Sequence, residues 1–198
     1  MNRIFPFSKI AGFLTLALCA FLIALQFIKI EASNILWEAL ASLKPILWIV
    51  FFALLISASN KKSALIAPSW IGIWSYVFYF VSSALSAIAI RIYLTTESFP
   101  TTLFTISGCL DFVYVAGTIV TFIWLARYFA KGSLQKFAAI FIPICAVVLF
   151  VSQFIFNFLQ IDNEATRLIA TKIYSVVRVF FSLMPSALFF FAFSKLKK

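Results

Sequence analysis

Residues 103–126 read LFTISGCLDFVYVAGTIVTFIWLA. This run of 24 residues carries one charge, Asp111. A membrane helix needs about 20 mostly apolar residues, and the run meets that length. Besides Thr105 it carries a polar set of five, Ser107, Asp111, Tyr114, Thr118 and Thr121. They recur at steps of four, three, four and three, which keeps them on one face of a helix. The stretch therefore reads as a membrane helix with a polar stripe, facing other helices or a cavity because polar groups cost free energy in hydrocarbon.

The rest of the chain repeats the pattern. Five further apolar runs are expected to span: Ile10 to Ile28, about Trp37 to Ser57, about Leu65 to Ile90, Phe137 to Leu159, and about Leu168 to Phe193. Pro45 is expected to kink the second span or start its core. Composition agrees. Of the 198 residues 64% are hydrophobic and 11% charged, against roughly 45–50% and 25% in soluble domains. Too few polar residues are present to coat a soluble globule, which excludes a soluble domain, a disordered chain and a secreted disulfide scaffold. Alternating barrel patterning is absent. The expected fold is an all-α membrane protein, a six-transmembrane-helix bundle forming one domain over residues 1–198. Residues 1–28 resemble a signal peptide, but their apolar stretch is long for that role, so they are read as a span. Most tryptophans (Trp37, Trp48, Trp70, Trp74, Trp124) fall near expected span ends, as an aromatic belt would.

The net charge of +10 follows topology better than it follows a nucleic-acid partner. One set of segments carries Arg3, Lys9, Lys61, Lys62, Arg127, Lys131, Lys136, Lys195, Lys197 and Lys198 with no acid. The opposite set carries Lys29, Lys44, Arg91, Arg167 and Lys172, balanced by Glu31, Glu38, Glu97, Asp162 and Glu164. The positive-inside rule then puts the N-terminus and C-terminus on the cytoplasmic side. A bacterial cell inner membrane fits this short multi-pass chain. The longest external loop, 29–44, is read as an outward extension of the second span, with an interfacial helix as the alternative.

Chemistry is scarce. The chain has no histidine and six acids, which removes most zinc, haem and triad sites and leaves little for paired carboxylates. Cys19, Cys109 and Cys145 lie far apart in apolar runs and read as small buried hydrophobes. No catalysis, cofactor or metal is expected. What remains is the set of polar stripes: Thr171, Ser175, Arg178, Ser182 and Ser186 in the sixth span, Ser75, Tyr79, Ser82 and Ser86 in the third, and Gln153, Asn157 and Gln160 in the fifth. At about 1.5 Å per residue, Asp111 lies roughly 12 Å and Arg178 roughly 15 Å below the outer boundary. Gln153 and Asn157 lie roughly 9 and 3 Å deep. Asp111 and Arg178 are the one acid and the one base inside the spans, and they are expected to meet.

Two functions compete. In one, spans three to six enclose an outward-facing pocket for a small polar or charged solute, lined by Asp111, Arg178, Tyr114, Gln153, Asn157, Tyr174 and Ser175. In the other, Asp111 and Arg178 are interhelical glue in a non-catalytic subunit or sensor of a larger membrane complex. The expected partners are the lipid bilayer, the solute and a membrane partner subunit, with no nucleic acid. Beyond Thr118, Thr121, Ser57 and Ser59 the inner half is nearly free of polar residues, which argues against a water-filled channel. Only five glycines occur, so alternating access by this chain alone looks strained. Length, span count, inward termini and the placing of the pocket resemble, in outline, the substrate-binding components of energy-coupling-factor vitamin importers. Ala20 and Ala24 are similar to the small-residue contact strip of that family. The resemblance implies early helices facing a partner subunit, later helices holding the solute, and a role in uptake transport.

Overall fold

The computed structural model describes residues 4–27, 42–59, 64–96, 100–158 and 164–195. They form six helices and no strand: α1 Ile4–Leu25, α2 Leu43–Ala58, α3 Ile66–Thr96, α4 Thr101–Ala126, α5 Leu134–Phe158 and α6 Glu164–Ser194. Five of them, all but α2, are long and apolar enough to cross a membrane. The 16 residues of α2 rise roughly 24 Å, short of a hydrocarbon core of about 30 Å. Residues 37–41 of the expected second span lie outside the described residues, as does most of the 29–44 loop. Pro45 stands at the third position of α2, where its missing N–H costs no helical hydrogen bond. It starts the helix and does not kink it.

Helix α1 begins at Ile4, earlier than the expected Ile10, because its first turn has packing partners. Ile4 is 2% exposed and Phe5 stacks on Phe193 at 5.9 Å. The helix ends by Leu25, where Gln26 and Phe27 donate three residues back to Ile23 and Ala24 and tighten the last turn.

Contacts fix the order of the helices. Each packs on its neighbour in sequence, and α6 also packs along α1, so the bundle closes on itself. Phe5 meets Phe193, Phe13 meets Phe191, and Leu18 and Leu22 cluster with Val179 and Leu183, so α1 and α6 are antiparallel. Ser82 meets Ser107 and Ser75 lies against Gly117, so α3 and α4 are antiparallel too. Halfway along this pair a Cβ on Gly117 would collide with Oγ of Ser75. The absence of a side chain there lets the two backbones approach, as small residues do between membrane helices.

The half of the bundle nearer Ile4 and Ser194 holds an aromatic core. Trp48 is fully buried and is ringed by Phe51, Phe52, Tyr76, Phe122, Phe189 and Phe190, with centroids 4.4 to 5.6 Å away. Trp48 therefore belongs to the core and not to an aromatic belt, whereas Trp70 and Trp74 are exposed at 49% and 56%. Trp37 lies outside the described residues. Cys19 and Cys145 are buried as expected, but Cys109 is exposed because it sits off the polar stripe on the outward face of α4. Ala20 and Ala24 lie on the exposed face of α1. Large apolar side chains stand exposed on all six helices, among them Phe13, Ile46, Ile88, Phe112, Ile144 and Ile173. Such a girdle is what lipid covers, and the chain is a multi-pass integral membrane protein.

Candidate functional site

The site begins with the register of α2 on α6. The buried stripe of α2 is Lys44, Trp48, Phe51 and Leu55, while Leu43, Ile46 and Val50 face outward. Nζ of Lys44 donates to Oγ of Ser182 at 2.9 Å. Nε1 of Trp48 donates to Oγ of Ser186 at 3.1 Å. A spacing of four on α2 meets a spacing of four on α6, so the two helices run parallel in step. The ammonium of Lys44 also stands 5.7 Å from the centre of the Tyr79 ring, a cation–π distance.

Above Trp48 the bundle opens into a cavity of about 80 Å³. Its polar lining comes from five helices: Lys44 of α2, Tyr79 of α3, Asp111 and Tyr114 of α4, Gln153 of α5 and Arg178 of α6. Ile142, Leu149, Phe150 and Phe181 give it an apolar wall, and Ser186, held by Trp48, closes its floor. Pro185 also lines it and has no N–H to offer the carbonyl of Phe181, one turn earlier. The cavity is partly open, and the side chain of Arg178 is exposed.

Asp111 and Arg178 share this cavity, but the expected direct pair is not formed: among the described residues no ion pair joins them within 4.0 Å. Asp111 instead accepts from Oγ of Ser82 on α3 at 2.7 Å. Each serine hydroxyl has one proton to give. With Ser82 donating to the carboxylate, Ser107 donates to Ser82 at 2.9 Å and Ser86 to Ser107 at 2.7 Å. A chain of three hydroxyls thus points at one carboxylate oxygen. The physical reason for the missed pair is adjacency. Helix α4 packs on α3 and α5, and α6 packs on α5 and α1, so the nearest partner for Asp111 is on α3. Arg178 makes no hydrogen bond or ion pair among the described residues.

Of the seven residues expected at the pocket, Asp111, Arg178, Tyr114 and Gln153 line the cavity. Tyr174 and Ser175 do not; they are half-buried, on the turn of α6 before Arg178. The side chain of Asn157, and Gln160, lie outside the described residues. Lys44 was missed, since its charge placed it in a loop. Its spacing from Trp48, Phe51 and Leu55, at steps of four, three and four, was the available signal. Tyr79 was legible as a stripe member but not as a wall of the site. The polar stripe of α4 continues below the floor to Thr121, which is fully buried with no hydrogen-bond partner among the described residues.

These features define a multi-pass helical membrane protein with a charged cavity inside its bundle. Comparison of the chain with protein-family models, with curated proteins and with solved structures finds no match in any of the three.

Proposed function

We propose that the protein binds a small polar or charged solute in the cavity, from the outer side of the membrane, as the substrate-binding component of an uptake transporter in a bacterial inner membrane. One observation carries this reading: charged side chains from three helices, Lys44, Asp111 and Arg178, converge on one cavity, and among the described residues no ion pair within 4.0 Å joins any two of them. Glue would join its charges, because an unpaired charge in a membrane is costly and a partner relieves it. Here Arg178 is left without one among the described residues. The charge bias of the loops supports an outward-facing opening, with both termini in the cytoplasm. The packed aromatic layer beneath the floor supports a binding protein over a channel. The resemblance to importer binding components supports uptake, with a partner subunit supplying the movement. At about 80 Å³ the cavity is small, and a vitamin-sized molecule would have to extend through its open side.

The test is mass spectrometry of the protein gently extracted from its own membranes, scored for small molecules and for co-purifying proteins. A stoichiometric small molecule that disappears in Arg178→Ala, with the variant still monodisperse, is the expected result. A stoichiometric protein partner and no small molecule would replace this reading with that of a subunit or sensor.

A further inference from the structure

We infer that the solute is a small monoanion, a carboxylate or comparable oxyanion, held between Lys44 and Arg178. This rests on the solute-binding reading above and names its substrate class. The first ground is charge. Lys44, Arg178 and Asp111 give the cavity wall a formal sum of +1. A monoanion brings that sum to zero, the least costly state for a site inside a membrane. A cation would raise it to +2.

The second ground is the supply of donors and acceptors. Lys44 is 8% exposed and offers three N–H donors. Ser182 takes one of them. Arg178 offers five donors in a planar fork suited to carboxylate geometry, and none is used among the described residues. Asp111 already receives the proton of Ser82 on one oxygen. The cavity therefore has two cations with unspent donors against one charged acceptor, Asp111, and a carboxylate supplies acceptors alone. The second oxygen of Asp111 remains for a hydroxyl on the same molecule.

The third ground is size. An engineered cavity of about 150 Å³ holds benzene, and a single water needs roughly 10–15 Å³. About 80 Å³ has room for roughly three to six non-hydrogen atoms on the same scale, and any larger part of a solute would stand in the open side. Acetate and lactate are of that size.

The experiment uses the full-length protein in non-ionic detergent at constant ionic strength. Equilibrium retention of radiolabelled acetate and of L-lactate is measured, with tetramethylammonium as the cationic probe. We expect a carboxylate to be retained, and retention to fall at least tenfold in both Lys44→Met and Arg178→Met. Lys44→Arg and Arg178→Lys keep the charge and should retain part of the binding, which separates charge from folding. Asp111→Asn removes the one negative charge from the cavity wall and should bind acetate several-fold tighter than the parent, whereas weaker binding of acetate would overturn the anion class. Retention of tetramethylammonium that needs Asp111 would overturn the anion class and leave the pocket standing. Binding of neither probe, with a protein partner in the extracted material, would overturn the pocket itself. A third arm uses nanodiscs of phosphatidylcholine with and without phosphatidylglycerol. Arg178-dependent capture of phosphatidylglycerol with no free carboxylate bound would keep the oxyanion chemistry and overturn the reading of a solute from outside.

Discussion

The two halves of the bundle solve different problems with the same helices. Near the chain termini, α2, α3, α4 and α6 fill the centre with rings packed on Trp48. Six residues further along α3, and eleven and fifteen residues back along α4, Ser82, Asp111 and Ser107 stand in place of the rings of Tyr76 and Phe122. Lipid is as apolar as any side chain, so burial alone gives membrane helices little reason to associate, and close packing must do it. The aromatic half supplies that packing. The polar half can then leave a void and an unpaired cation without losing the fold. Trp48 joins the two, with its ring in one half and its N–H holding Ser186 at the floor of the other.

Breaking the joint should have the largest effect. Trp48→Ala removes the central ring and frees Ser186, and is expected to cost about 3–5 kcal/mol, the range for large aromatic truncations. A fall in the thermal midpoint followed by fluorescence-detected size exclusion would show it. A midpoint unchanged within error would mean that the aromatic layer is not what holds the bundle. Gly117→Val comes next. Its added carbons meet the side chain of Ser75 on α3, and overpacking of that kind costs about 1–3 kcal/mol. Gly108 is the control on the same helix, since a Cβ there meets nothing within 4 Å.

Ser82→Ala tests the polar half with a smaller effect. It removes the donor to Asp111, and interhelical hydrogen bonds in membranes average about 0.6 kcal/mol with a maximum of about 1.7. The smallest loss of stability is expected for Arg178→Ala, about zero or a gain, because it removes a cation that makes no hydrogen bond or ion pair among the described residues. A double-mutant cycle of Asp111→Ala with Arg178→Ala sharpens the point. A coupling below about 0.5 kcal/mol is expected for residues that do not touch. A coupling above 1 kcal/mol would restore them as glue and weaken the contrast between the halves.

How far each feature could be foreseen depends on the range of its cause. The stripe on α4 was legible because a helix repeats every 3.6 residues and polar groups avoid lipid. Ser107, Thr118 and Thr121 are all buried as that argument requires. The opening of α1 was less legible, because Ile4 and Phe5 are helical through contacts with the far end of the chain. Lys44 was misplaced for a related reason. Charge counting assigns a lysine near a span end to the loop, and the loop is where most such lysines are. Here Ser182, 138 residues away, draws it inward.

Composition and period were enough to specify a helical membrane protein and the polar faces of its helices, and four of the seven residues expected from those faces line the cavity. Both are local properties, set by the cost of polar groups in hydrocarbon and by the geometry of one helix. Which charged groups meet was settled only by the packing of the helices. Depth placed Asp111 and Arg178 at one level, but level is one coordinate of three. The order of helices around the bundle gave Asp111 to Ser82, brought Lys44 to Ser182, and left Arg178 open to the cavity.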